Sequence, residues 1–148
     1  MLFGKKPVRS IEIVSLEKLT LRISGMRLTR VYEILDTNSK AETSLYYMKC
    51  VPGGMEPELE KRAYAAMPEV TALLNSLGVG SWDGFVGHHP KNVRDGEMFE
   101  LKAEVNGGES IYAHGSENFP KHYHELVRAL DALLSGESRN KEDDNDNS

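Results

Sequence analysis

Residues 99–115, FELKAEVNGGESIYAHG, restrict the possible fold more than any other stretch of the chain. Two alternating segments flank an Asn-Gly-Gly sequence at 106–108, and these residue types favour the turns of tight hairpins. A loop of these three residues sets Leu101 opposite Ala113 and keeps one face apolar and the other polar. A slip of one residue would mix both faces. The pattern therefore predicts an antiparallel hairpin in the three-residue register.

Alternation also predicts strands in the first third of the chain. Residues 17–24, EKLTLRIS, place both leucines and the isoleucine on one face. Residues 28–35 are interpreted as the returning strand and 42–51 as a third strand, while 11–14 is a shorter candidate. These segments predict a sheet of neighbouring antiparallel strands.

A first helix is predicted over residues 56–77, where apolar residues recur at helical spacing. Pro68 lies inside this stretch and lacks a backbone donor, so a kink or two abutting helices are expected there. Gly78 supplies the end of the helix.

A second helix is predicted from about Pro120 to about residue 134. Proline suits the first helical position, which places the N-cap at Asn118 or Phe119. Gly136 is expected to end the helix. Its apolar stripe is Tyr123, Leu126, Val127, Leu130, Leu133 and Leu134.

Together these elements predict the α+β class, with an antiparallel β-sheet and two main helices packed on one face. We expect a single domain over residues 1–134. The last fourteen residues, 135–148, contain no apolar side chain and hold five acids against two bases. With nothing to bury, this segment is predicted to be a disordered acidic tail.

Composition limits the function classes. The net charge of −5 disfavours a nucleic-acid binder, and a single cysteine, Cys50, excludes an intramolecular disulfide and a cysteine-based zinc site. We expect no cofactor. No apolar run of about 18 residues and no leader-like pattern occur, so we expect a cytoplasmic protein without membrane contact.

Three segments carry a resemblance. SWDGF (81–85), DGEMFEL (95–101) and GGESIYAHGSENFPKHYHEL (107–126) resemble an arrangement found in uncharacterised bacterial proteins. It combines a Trp-Asp-Gly-Phe segment, an Asp-Gly turn before a hairpin and an Asn-Phe-Pro helix start. The resemblance covers roughly residues 81–134, supports the fold and implies no activity.

The histidines are the first candidates for chemistry. His122 and His124 are two residues apart, so on a helix they point in nearly opposite directions and cannot share a metal. A metal or catalytic site would need one histidine from each segment, such as His88, His114 and His122. The spacing does not require that arrangement, and we predict neither metal ligands nor catalytic residues.

The junction between the last strand and the last helix is the candidate binding region. Backbone N–H groups at a helix start can hold an anion, and His114, Ser116, Lys121 and His122 lie near it in sequence. Trp82, the only tryptophan, is either a core anchor or part of a recognition surface. These five residues form the predicted binding set.

The favoured function is a non-catalytic binding or interaction module whose partner is another protein, because no set of nucleophile, base and oxyanion donors can be assembled from the sequence. One alternative is a small hydrolase or metal-dependent enzyme using the region of His88, His114 and His122. Another is an inhibitor or regulator whose acidic surface mimics nucleic acid.

Overall fold

The computed structural model describes residues 10–25, 28–38, 40–94 and 96–136. Within these ranges the chain forms one mostly antiparallel sheet, with strands in the order β4-β3-β2-β1-β6-β7-β5. The elements are β1 (Leu16–Ser24), β2 (Thr29–Thr37), β3 (Lys40–Val51), β4 (Gly54–Ala66), α1 (Met67–Ser76), a 3₁₀ turn (Val79–Ser81), β5 (Val86–Gly87), β6 (Met98–Val105), β7 (Glu109–Ser116) and α2 (Tyr123–Ser135). The mixed α+β class and the mainly antiparallel sheet are confirmed; only the pair β5–β7 is parallel among the described strands.

The β6–β7 hairpin has the predicted register. Leu101 pairs with Ala113 and Glu100 with His114. Asn106 and Gly107 adopt left-handed backbone angles, with φ of 55° and 72°, which asparagine and glycine tolerate better than other residues. The alternation of the two segments and the turn residues agree on one pairing, which explains why the sequence was sufficient here.

The predicted strand at 11–14 is wrong. This segment pairs with none of the described strands, and its backbone bonds to the Gly80 carbonyl and to two side-chain amides. Asn75 accepts from the N–H of Ile13 at 2.9 Å and donates to its carbonyl at 3.0 Å. Asn106 accepts from the N–H groups of Val14 and Ser15 at 2.8 and 3.1 Å. The hairpin turn therefore also binds the incoming chain.

The predicted helix over 56–77 is wrong for its first half. β4 runs from Gly54 to Ala66 and pairs with β3 along its whole length, and α1 begins only at Met67. Pro57 lies on the sheet edge, where a missing N–H costs little. Pro68 lies in the first turn of α1 and so starts the helix where a kink was expected.

The second predicted helix is present but begins later. α2 starts at Tyr123, and His122 is its N-cap with φ of 70°. The N–H of Tyr123 bonds to the carbonyl of Pro120, so residues 120–123 form a turn in front of the helix. The expected cap at Asn118 or Phe119 is therefore wrong. Gly136, with φ of 59°, ends the helix as predicted.

The core forms on one face of the sheet, which we call the inner face. Alternate residues of β1 and β6 are buried there, and they belong to the same apolar cluster as residues of α1 and α2. Tyr32 of β2 is also buried, and its hydroxyl donates to Asp131 of α2 at 2.7 Å. From the predicted stripe of α2, the fully buried or nearly buried members are Tyr123, Leu126, Leu130 and Leu134.

Candidate functional site

The structure divides the five predicted binding residues between two places. His114 and Ser116 lie on β7 and line a groove of about 550 Å³ on the outer face of the sheet. The groove also contains Arg22 of β1 and the imidazoles of His88 and His89, which follow β5. We call this the histidine groove.

Trp82, Lys121 and His122 line a second depression, of about 400 Å³, in front of α2. The indole of Trp82 is only 3% exposed and packs near the Tyr123 ring, with centroids 6.4 Å apart. Trp82 is thus a core residue at the base of this depression and offers almost no surface to a partner. The His122 imidazole contacts the carboxylate of Glu125, and this contact is the main reason that the pKa of Glu125 is lowered.

The histidines do not form one group. His88 and His114 line the histidine groove, whereas His122 lies in front of α2. His124 packs edge-on against Phe119 and Tyr123. Over residues 10–25, 28–38, 40–94 and 96–136, no three His, Cys, Asp or Glu side chains are placed to hold a metal ion.

A serine and a histidine that the sequence did not connect meet in the histidine groove. His89 Nδ1 lies 2.7 Å from Ser116 Oγ, and His89 Nε2 contacts the carbonyl of Val93. The two side chains are 27 positions apart, so no local motif could have indicated the pair. The parallel pairing of β5 with β7 brings them together.

Charged and hydroxyl groups continue along the outer face beside this pair. The Tyr112 hydroxyl donates to the Glu100 carboxylate at 2.9 Å, which raises the pKa of Tyr112. The ring of His114 lies 5.3 Å from that of Tyr112. The Lys102 ammonium group lies over the Tyr112 ring, 5.9 Å from its centroid. The outer face at β6 and β7 is therefore polar and mixed in charge.

A different surface lies at the far end of the sheet. Residues 46–59 form the distal part of the β3–β4 hairpin, which we call the arm. A register shift between Leu45 and Tyr46 marks its base, where Leu59 pairs with Tyr46 but Lys61 pairs with Leu45. Glu60 is the extra residue of this bulge. The whole of β4 from Gly54 to Glu60 is exposed.

The two faces of the arm differ in character. Directly paired residues share a face of a sheet, and the face alternates along each strand. Beyond Tyr47, which packs against the core, the inner side carries Lys49, Glu56 and Glu58, with a 3.8 Å ion pair between Lys49 and Glu58. The outer side is apolar and consists of the pairs Tyr46–Leu59, Met48–Pro57 and Cys50–Met55. Among these, Met55 is 49% exposed and Leu59 44%.

Sequence reasoning missed the arm because β4 was interpreted as helix. The signal was nevertheless present: in MEPEL (55–59), apolar residues and glutamates alternate strictly, which is a strand pattern. Read with the alternation of β3, it would have indicated an amphipathic hairpin.

The base of the arm is held by a polar network on the outer face. Arg62 donates to Ser44 Oγ at 2.9 Å and to the Tyr46 hydroxyl at 3.1 Å, and it forms a 3.0 Å ion pair with Glu42. These contacts raise the pKa of Arg62, chiefly through the hydrogen bond with Tyr46. The network fixes one side of the Tyr46 ring at the edge of the apolar surface.

No family model matches the chain, and neither the curated proteins nor the solved structures give a match. The resemblance over residues 81–134 therefore stays a prediction. None of the described helices is long and apolar enough to span a membrane.

Proposed function

We propose that the protein acts as an interaction module that binds another protein through the arm, and that this binding role of the arm is non-catalytic. The observation that carries this proposal is the apolar outer side of the arm, formed by three directly paired residues from each strand. Contiguous exposed apolar surface on a small domain marks an interaction site. Binding there needs no chemical step.

The packing of the helices is the second part of the proposal. We propose that both pack on the inner face and leave the outer face free. The support is the hydrogen bond between Tyr32 and Asp131 of α2, together with the shared apolar cluster that includes Val70 and Leu74 of α1. The outer face of the arm is then continuous with the side of the sheet that the two helices do not cover.

The charges around the arm indicate the chemistry of the partner. Glu56, Glu58 and Glu60 follow one another at alternate positions along the exposed edge strand. A second copy paired antiparallel about Pro57 would place Glu56 opposite Glu58, and like charges directly opposite each other disfavour pairing. The expected partner is therefore a different protein that offers an apolar strip flanked by basic side chains.

The single cysteine allows a direct test. Cys50 is exposed on the apolar side of the arm, so benzophenone-maleimide attached there places a photo-crosslinker on the proposed surface. Irradiation in a lysate of the source cells is expected to give one discrete adduct with a second protein. Leu59→Glu should abolish this adduct, because a charge would be placed directly in the apolar contact.

Val14→Glu is the matched control. Val14 is 75% exposed and lies next to the β6–β7 turn, away from the arm, so the variant adds the same charge elsewhere. The control should form the adduct as the parent does. Equal adducts in both variants would contradict the proposal. An adduct that contains only this chain would show that the arm binds a second copy of the protein and not a different protein.

The nucleic-acid-mimic alternative has less support. Along the outer face of β1 and β6, Lys18, Arg22 and Lys102 alternate with glutamates, so the face lacks the uniform negative charge that such a mimic needs.

A further inference from the structure

We propose that Ser116 is a nucleophile activated by His89 and that the histidine groove hydrolyses small carboxylic esters that carry an anionic group. This activity is separate from binding through the arm and uses none of its residues. The two proposals can therefore fail independently.

The hydrogen bonds assign the protons of this pair. A backbone carbonyl only accepts hydrogen bonds, so the His89 Nε2 that contacts the Val93 carbonyl must carry a proton. In the neutral imidazole, Nδ1 is then the acceptor. The Ser116 hydroxyl, 2.7 Å away, donates to it. Nucleophile, general base and a third group that orients the base are thus present in one chain of contacts.

The backbone around the pair is closely packed, which holds the two residues in place. Gly87 and Gly115 pair directly. Gly87 ends β5 and is followed by His88 and His89, and Gly115 immediately precedes Ser116, the last residue of β7. A β-carbon on either glycine would come within 2.2 or 2.4 Å of the Asn118 carbonyl oxygen. This close approach needs glycine at both positions and restricts movement of the two segments.

The residue after Ser116 adds a further constraint. Glu117 has a φ of 49°, a left-handed conformation that is uncommon outside glycine and asparagine, and its carboxylate accepts from the N–H of Glu97 at 2.6 Å. Its own N–H bonds to the Glu97 carbonyl at 2.8 Å. Strained backbone of this kind is concentrated at functional sites.

The reaction follows from these positions. Ser116 Oγ attacks the carbonyl carbon of the ester while its proton passes to His89 Nδ1. The tetrahedral intermediate expels the alcohol, which takes that proton, and the acyl group remains on Ser116. Water then attacks the acyl carbon with His89 as base, releases the carboxylic acid and restores the serine.

The lining of the groove sets the substrate class. Arg22 supplies a fixed positive charge, and guanidinium groups bind carboxylates in a two-pronged geometry. The nearby Glu100 carboxylate accepts from the Tyr112 hydroxyl, which partly satisfies it. A volume of about 550 Å³ holds a small molecule. A short ester with a carboxylate at its other end fits both features.

The test uses a fluorophosphonate probe, which forms a covalent bond with activated serines, on the full chain. One probe group per chain is expected, located on Ser116 by peptide mapping. Ser116→Ala should lose the label, and His89→Gln should slow it by about 100-fold, the size of effect that a general base contributes. Ser110→Ala is the matched control, because Ser110 lies on the same strand and face, opposite Glu104. It should label as the parent does.

Two further measurements keep the result decisive. If Ser116→Ala does not fold, Ser116→Cys replaces it, and the new thiol should react with iodoacetamide at least 10-fold faster than Cys50. With the mono-p-nitrophenyl ester of succinate, Arg22→Gln should raise KM while leaving kcat unchanged. Absence of labelling in the folded parent, or equal labelling at another serine, would overturn the proposal.

Discussion

The centre of the sheet and the arm are built from similar alternating strands but differ in how far their apolar side chains are exposed to solvent. β1 has a neighbour on each edge, and its Leu19, Leu21 and Ile23 are at most 1% exposed. The arm includes β4, which is the edge strand among the described strands, and Met55 and Leu59 are about half exposed. Apolar residues in the centre stabilise the fold, whereas those of the arm are available to a partner. Alternation alone does not distinguish the two roles; the order of the strands and the burial of their side chains do.

The largest effect should follow substitution of a buried residue of α2. Leu130 on α2 is fully buried in the shared apolar cluster. Leu130→Ala should lower the free energy of unfolding by about 2–5 kcal/mol, because it removes buried methyl groups and leaves a cavity. Urea denaturation measures this change. A loss below about 1 kcal/mol would mean that α2 does not anchor the sheet.

A smaller effect is expected where a hydrogen bond joins the covered part of the sheet to α2. Burial and the hydrogen bond to Asp131 raise the pKa of Tyr32 to about 12 from 10.0. Because the folded state favours the neutral phenol, the resulting stability is complete below pH 10.0 and is lost as the pH rises towards 12.

Tyr32→Phe should cost roughly 1 kcal/mol at neutral pH, since the hydrogen bond is lost while the ring remains. The variant should also lose less stability than the parent between pH 10.0 and 12. Some alkaline loss should remain, because burial also raises the pKa of Tyr123. Chemical denaturation at pH 7 and across the alkaline range gives both values. Parallel pH profiles would contradict the assignment.

Substitution on the arm should change stability much less. Leu59→Ala should cost under about 0.5 kcal/mol, because the side chain is 44% exposed and pairs with a single neighbour across the hairpin. The same change should weaken binding of the partner by about 10-fold or more if Leu59 becomes buried in the complex. A stability loss close to that of Leu130→Ala would show that the arm is part of the core.

The smallest effect is expected at the end of the chain. α2 runs to Ser135 and ends at Gly136, so a cut after Gly136 keeps the helix end intact. Residues 137–148 of the predicted disordered tail lie outside the described residues. Its removal should leave Tm within about 2 °C, because it contributes no apolar side chain. A drop of more than about 5 °C would place the domain boundary further along the chain.

Local patterns predicted the parts of the fold that depend on neighbours in sequence. The β6–β7 register followed from alternation and from the residues at 106–108, and the end of α2 followed from Gly136. β4 was mistaken for helix because its alanines and leucine also satisfy a helical spacing, and only its pairing with β3 decides between the two. Propensity is overridden by such tertiary contacts.

The candidate sites were less predictable, because distant pairing creates them. The contact between His89 and Ser116 depends on the parallel pair β5–β7. β5 has only two residues, which is too short for a strand pattern to be recognised in the sequence. The grouping of His114 with Lys121 and His122 assumed that the last helix begins near Pro120. The added turn before Tyr123 separates them.

Native-state hydrogen exchange, read at individual amides, tests the contrast between centre and arm most directly. In the isolated protein, amides of β1 and β6 should exchange only through global unfolding, whereas amides of residues 54–59 should exchange at least 100-fold faster through local opening of the arm. Addition of the captured partner should slow exchange in the arm and leave β1 unchanged. Arm amides that are as protected as those of β1 in the isolated chain, at every protein concentration, would contradict the account, because the arm would then already be covered.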